Sequence, residues 1–391
     1  MGPSISRLFF RFTILFVLSS LLASPAIAQE KPRARDLGVP FDGVPGPLNA
    51  ITDVAGVRVG HTTLIAGEGP LRVGEGPVRT GVTAILPRGD DPGDPVFAGW
   101  FALNGNGEMT GTTWVEESGF LEGPIAITNT HSVGVVRDSI IAWQVENGTT
   151  FQNFSLPVVG ETYDGALNDI NGFHVKAEHV VSALDTASSG PVPEGNVGGG
   201  TAMRCLGFKC GIGTSSRSGL GTDNYTVGVL VQANFGAGVA TIAGVPVGRI
   251  IREEGDIALG EMEEGGRGSI IIVVATDAPL LPHQLKRIAR RASLGVARTG
   301  GISSNGSGDI FIAFSTANPG AARGRPTADV SFVSNFEISR LFVATVEATE
   351  EAIINALVAA ETMVGRDGNR SEALPHDRLQ DILRRYNRLV N

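Results

Sequence analysis

A layered fold of sheets and helices, of the α/β or α+β class, is predicted by three features of this 391-residue chain. The run Ser269 to Thr276 (SIIIVVAT) is almost continuously β-branched, which suits a strand covered on both faces. The segment after it sets Leu281, Leu285, Ile288 and Ala292 on one helical face, with Lys286, Arg287, Arg290 and Arg291 on the others. Short apolar runs bounded by turn clusters recur along the rest of the chain, and no repeat of 20 to 50 residues underlies them.

Residues 29–50 (QEKPRARDLGVPFDGVPGPLNA), rich in proline and glycine, read as an extended lead-in. Val57 to Val59, Val82 to Leu86, Ile125 to Ile127 and Val227 to Val231 read as strands. Val133 to Val145 and Val175 to Leu184 read as helices, the first with apolar positions at helical spacing around Trp143. Asp277-Ala278-Pro279 offers an N-cap for the amphipathic helix after the long strand, and Gly300-Gly301 stops that helix. A polar loop, Ser303 to Asp309 (SSNGSGD), then leads into a strand at Ile310 to Ser315. Phe342 to Met363, rich in alanine, and the stripe Leu379, Ile382, Leu383, Tyr386 and Leu389 predict two closing helices.

With 42% hydrophobic and 18% charged residues, the chain can bury a large core, so disorder is excluded. Its 31 basic against 40 acidic residues give a net charge of -9, which argues against a nucleic-acid partner. Arg7 and Arg11 precede the apolar run Phe12 to Leu22, and Ala26-Ile27-Ala28 follows before polar Gln29. That is the pattern of a secretory signal cleaved after Ala28; its apolar run falls short of the roughly 20 residues of a membrane span. Residues 1–28 carry two arginines and no acid, so the mature charge is -11. A membrane-free mature protein beginning near Gln29 is expected, placed in the periplasm, with full secretion as the alternative.

Cys205 and Cys210, the only cysteines, have neither redox nor zinc spacing. Export permits a disulfide, but a chain this long needs no staple, and two small buried hydrophobes are the preferred reading. His174 and His179 are five apart and fall on different helix faces, so no metal or cofactor is expected. No G-x-S-x-G, P-loop or H-E-x-x-H motif is present, and Gly195 to Gly200 (GNVGGG) lacks the lysine and hydroxyl of a phosphate cradle and reads as a tight turn.

At Glu261 to Ile270 (EMEEGGRGSI) a glycine-rich polar segment runs directly into the long strand. Ser269 there is either an ordinary strand opener or a nucleophile. In the second case its hydroxyl attacks the Gly268 carbonyl, the acyl group shifts from nitrogen to oxygen, and a new N-terminal serine is released. That residue would carry a nucleophile and, with a pKa near 7.7 to 8, its own base.

The junction G-S-I-I-I-V-V-A-T-D-A-P-L at 268–280 resembles the start of the small subunit in the DmpA-like aminopeptidases, which include L-aminopeptidase/D-amidase-esterases and β-peptidyl aminopeptidases. Other stretches resemble them too, among them ITDVAGVRVGHT (51–62), TTWVEESG (112–119), NTHSVG (129–134), ETYDGALNDING (161–172), VLVQANFG (229–236) and ETMVGRDG (361–368). The resemblance spans nearly all of the mature chain. It implies an α+β, four-layer αββα sandwich, similar in layering to the ornithine acetyltransferases and cut into a large chain, 29–268, and a small chain, 269–391. The two chains would stay together and form higher oligomers.

Carried over by motif, Ser269 is the acyl-forming nucleophile and Gly268-Ser269 the cleaved bond. Ser307 and Asp309 match the pair that holds and activates it, Asp309 standing where many members have Glu. Asn234 matches the side-chain donor of the oxyanion hole, and Tyr163 the tyrosine beside the reacting carbonyl. For the substrate ammonium the expected anion is Glu117, with Glu116 as second choice; both are otherwise a solvated strand end next to Trp114.

The expected activity is release of N-terminal residues, chiefly β-amino acids, from short peptides and amides with a free N-terminal amine. Three alternatives stand beside it: an L-aminopeptidase with D-amidase and D-esterase activity, an acyltransferase, and an uncleaved periplasmic binding protein.

Overall fold

The computed structural model describes Gly2 and residues 31–236, 239–255, 268–324 and 326–390. The signal-peptide expectation for residues 1–28, and the approach to the junction at 256–267, lie outside them. In chain order the strands are β1 (Arg58–Ala66), β2 (Val78–Leu86), β3 (Val96–Ala102), β4 (Phe120–Leu121), β5 (Ile125–Asn129), β6 (Val158–Thr162), β7 (Arg204–Cys205), β8 (Phe208–Lys209), β9 (Ile212–Leu220), β10 (Tyr225–Asn234), β11 (Gly268–Thr276), β12 (Ser307–Ser315), β13 (Met363–Val364) and β14 (Arg370–Ser371). The helices are α1 (Thr112–Ser118), α2 (Val133–Glu146), α3 (Ala177–Asp185), α4 (Val247–Glu254), α5 (Pro282–Arg298), α6 (Ile338–Val358) and α7 (His376–Arg385).

Two sheets stack face to face. One has the order β1-β2-β5-β6 and the other β4-β3-β12-β11-β10-β9. Because side chains alternate across a strand, β11 serves two cores at once. Ile271 and Val273 meet Ile85, Ile125 and Val158 between the sheets. Ile270, Ile272 and Val274 face the other way, into a core shared with Leu285, Ile288 and Ala292 of α5 and Ala348 and Ala352 of α6. On the far side of the smaller sheet, Val82, Ala84 and Ala126 pack against Val136, Ile140, Val180 and Leu184 of α2 and α3. The layers therefore run helix, sheet, sheet, helix, as the resemblance implied.

The lead-in is fixed rather than loose. The Arg33 guanidinium pairs with buried Glu194 at 2.8 Å, and Arg35 with fully buried Glu351 at 2.7 Å, while Arg217 reaches Glu351 from the other side at 2.9 Å. Glu351 thus has the paired, hydrogen-bonded surroundings that a buried carboxylate needs. The glycine-rich segment at 198–200 forms a 3-10 turn beside β1 and β2, consistent with its reading as a tight turn.

Four expectations are corrected. The N-cap of α5 is Leu281, with Pro282 in the first turn, because Asp277 is already engaged: its Oδ1 accepts the Thr226 amide at 2.7 Å. Ser307 to Asp309 belong to β12 and are not loop residues, since pairing with β11 begins at Ser307. The segment TTWVEES is helix α1, not a strand end; Gly111 and Gly119, with φ of 71° and 77°, close its two ends. Cys205 and Cys210 are buried, as expected, but they are joined in a disulfide that closes the β7–β8 hairpin.

Candidate active site

Ser269 is placed by strands on both sides. Antiparallel β10 ends at Asn234, the direct cross-strand partner of Ser269, and parallel β12 sets Gly308 opposite it. Side chains of paired residues leave from the same face, so Ser269 and Asn234 both project between the two sheets, on the face continued by Ile271 and Leu230. Ser269 is buried, and its Oγ accepts the Gly308 amide at 3.2 Å.

The residue before it has to be glycine. A Cβ on Gly268 would fall 2.2 Å from the Asn234 carbonyl oxygen and 2.9 Å from Phe235 Cα. Any other side chain would push the Gly268–Ser269 peptide away from the end of β10.

Ser307 pairs with Gly268 and Asp309 with Ile270, so their side chains bracket the main chain of Ser269 from the face opposite its hydroxyl. The Ser307 hydroxyl donates to Asp309 Oδ1 at 2.6 Å, and the Asp309 amide donates to Asn104 Oδ1 at 2.8 Å. Burial pushes the Asp309 carboxyl above its ordinary range, and the Ser307 hydrogen bond offsets part of that. Among the described residues, the other oxygen, Oδ2, is buried with no hydrogen-bond partner.

Asn234 is held at both ends of its amide. Oδ1 accepts the Arg204 amide at 2.9 Å, and Nδ2 donates to the Tyr163 carbonyl at 2.8 Å. A primary amide has two N–H groups, so one donor is left to face a reacting carbonyl. Tyr163 sits just past β6, is half exposed, and carries its hydroxyl back over Gly165.

The structure does not bring Glu117 to these residues. Helix α1 closes at Gly119, whose carbonyl accepts the Ala98 amide. Ala98 pairs with Phe314, and Phe314 with Ala275, six residues along β11 from Ser269 or about 20 Å at the rise of a strand. Glu117 is exposed there, and Glu116 is taken by Lys286 at 2.5 Å.

Glu161, which the reading of the sequence passed over, lies close. A Cβ on Gly107 would meet Gly308 Cα at 3.1 Å and Glu161 Oε1 at 3.2 Å, so one backbone residue separates this carboxylate from the Gly308–Ser269 contact. Gly308 permits that approach, because a Cβ on it would lie 2.6 Å from Asn106 O. Oε1 accepts the Glu108 amide at 3.0 Å, and Oε2 accepts the Thr130 hydroxyl. Burial raises the Glu161 pKa, and these two bonds draw it back down. A lone acid ending the apolar strand V-V-G-E-T was the available signal. Among the described residues, no group of three or more His, Cys, Asp or Glu side chains is arranged to hold a metal ion.

A nucleophile-type serine, a fixed amide donor facing the same way, a carboxyl behind its main chain and a second carboxylate one residue away form a constellation suited to acyl transfer from a substrate bearing an amine. The model of Peptidase family S58 matches residues 49–371. The beta-peptidyl aminopeptidase BapA of Sphingosinicella microcystinivorans is 54% identical over 386 residues, covering 96% of this chain and 97% of that one. The solved Burkholderia sp. beta-aminopeptidase is 50% identical with a TM-score of 0.83, covering 90% of this chain and 99% of that one. The L-aminopeptidase D-Ala-esterase/amidase of Ochrobactrum anthropi, described as a variant of the Ntn hydrolase fold, is 49% identical with a TM-score of 0.84, covering 92% of this chain and all of that one.

Proposed function

The chain belongs to peptidase family S58, and on that premise we propose that it is a self-processing serine aminopeptidase that releases N-terminal residues, chiefly β-amino acids, from short peptides and amides. The observation that carries this reading is the placement of Ser269: directly after an obligatory glycine, with Oγ against the Gly308 amide and Asn234 on the same face.

Maturation begins when Ser269 Oγ attacks the Gly268 carbonyl carbon. The C–N bond breaks as the acyl group moves to oxygen, and water then cleaves the ester to leave the Gly268 carboxylate and the Ser269 α-amine. The product chains are 29–268 and 269–391. The new ammonium is released in the main chain of Ser269, on the side of the strand that the Asp309 carboxyl faces.

In turnover Ser269 Oγ attacks the carbonyl of the substrate's N-terminal residue and passes its proton to the α-amine. The second N–H of Asn234 Nδ2 faces the developing oxyanion, a donor of a kind worth about 3 to 4 kcal/mol in acyl transfer. The amine hands the serine proton to the leaving group as the amide bond breaks; in hydrolysis of the acyl-enzyme it takes a proton from the attacking water and returns it to Ser269 Oγ. Glu161, not Glu117, receives the substrate ammonium. A β-amino acid inserts one methylene between ammonium and carbonyl, and the preference for it is supported by the relatives' names alone.

An N-terminal export signal in residues 1–28, a periplasmic site of action and assembly of the paired chains into a homo-oligomer complete the reading. Among the described residues no helix is long and apolar enough to cross a membrane. Assaying H-β-homoamino acid and L-α-amino acid p-nitroanilides side by side tests the substrate. Turnover of α-substrates alone, or of D-amides and D-esters in preference, would favour the L-aminopeptidase/D-esterase reading. Faster acyl transfer to hydroxylamine than to water would favour a transferase.

A further inference from the structure

We infer that the Cys205–Cys210 disulfide is a positioning device for the oxyanion donor Asn234, acting through the Arg204 amide. The inference rests on the reading of Asn234 given above.

An asparagine amide presents its nitrogen to a substrate only if its oxygen is held elsewhere. Here the Arg204 N–H holds Oδ1 at 2.9 Å while the Tyr163 carbonyl takes one Nδ2 hydrogen at 2.8 Å, so the Arg204 N–H is one of two backbone groups that set which way the amide faces. Arg204 belongs to a hairpin with two residues in each strand, far too small to keep its shape alone. Its turn residues, Leu206 and Gly207, both have positive φ, 54° and 94°, which matches the twist of a two-residue hairpin. For glycine this conformation is ordinary, but for leucine it is strained and must be imposed by the surroundings.

Three contacts impose it. The disulfide ties Cys205, the last residue of β7 before the turn, to Cys210, the residue after β8. Lys209 Nζ, buried, donates to the carbonyls of Met203 and Cys210 at 2.9 and 2.6 Å. The Leu206 amide donates to the Phe235 carbonyl at 2.9 Å, which seats the hairpin on the residue after Asn234. Of the three, only the disulfide is a covalent closure. Both cysteines are buried in the core shared with Ala233 and Phe235, so the clamp sits against the end of β10 itself.

Without the disulfide the hairpin relaxes its strained turn, the Arg204 amide leaves Oδ1, and the Asn234 amide can rotate. The test is steady-state kinetics of the mature, cut protein as wild type, Cys205→Ala/Cys210→Ala, Asn234→Ala and the triple variant. The expected result is a fall in kcat of about tenfold or more on losing the disulfide, a fraction of the 10²–10³ lost with an oxyanion donor, with KM changed less than about twofold. In the Asn234→Ala background, losing the disulfide should then change kcat by less than about twofold. Should the cysteine variant fail to mature, mature wild type reduced with a phosphine and shown to carry two free thiols takes its place, with the same expectations.

An equal loss of kcat in both backgrounds would show a merely structural bond and overturn the inference, as would an undiminished kcat without the disulfide. If Asn234→Ala alone kept full kcat, the oxyanion reading itself would fall. If that variant lost kcat while disulfide removal did nothing, only the role of the disulfide would.

Discussion

Asp309 stands one residue out of register with Ser269 on the neighbouring parallel strand, and so projects from the opposite face of the sheet. The carboxyl therefore addresses the main chain of Ser269 and not its hydroxyl. On the proposed reading, the group it has to reach, the α-amine that cleavage would free, lies in the strand itself.

An anion beside an ammonium raises the pKa of that ammonium, by about 1 to 3 units at close range. Asp309→Asn removes the anion and keeps an acceptor for Ser307, so the acid limb of kcat/KM should move to lower pH by about one unit. A pH profile of the mature variant beside wild type checks this. An unmoved limb would mean that Asp309 is not coupled to the working base.

Glu161→Gln keeps the shape of the side chain and an acceptor for one of its two hydrogen bonds but removes its charge. KM for amine-bearing substrates should rise by roughly 10- to 100-fold, in the range for loss of a buried charge partner, while self-cleavage proceeds. Glu117→Gln, on the helix whose end meets the sheet at the level of Ala275, six residues along β11 from Ser269, should leave kcat and KM unchanged. The reverse pattern would restore Glu117 as the ammonium site.

Asp164, directly after Tyr163, is fully buried, and burial pushes its carboxyl up to about 7, partly offset by Thr80, Asn168 and Asn129. A folded-state value above the unfolded one means that its favourable contribution is complete below about pH 4. It is lost as pH rises through about 7. Asp164→Asn cannot ionise, so its Tm should hold from pH 5 to 8.5 while that of wild type declines, with the variant ahead at the alkaline end. Parallel Tm curves for the two proteins over that range would refute the assignment.

The long strand and the amphipathic helix after it were legible because β-branched continuity and 3.6-residue spacing are local signals. The opening of β12 was not. Ser307, Gly308 and Asp309 have loop chemistry, and only pairing with β11 makes them a strand. The chain Thr112 to Ser118 misled through its β-formers, Thr and Trp, because its helical state depends on two left-handed glycine ends. Preferring Glu161 to Glu117 needed the structure for a different reason. Distance to Ser269 depends on strand order and register across two sheets, which neither residue type nor spacing encodes. The disulfide was likewise undecidable from spacing, since a five-residue separation can close a hairpin or lie in a core.

Denaturing intact mass spectrometry of the protein purified after export, beside its Ser269→Ala variant, tests the central claim most directly. The expected result is two wild-type chains separated after Gly268 and a single uncut chain in the variant. An uncut wild-type chain, or a variant cut at the same bond, would contradict the N-terminal serine mechanism, and an uncut chain silent towards every amide would leave the binding-protein reading ahead.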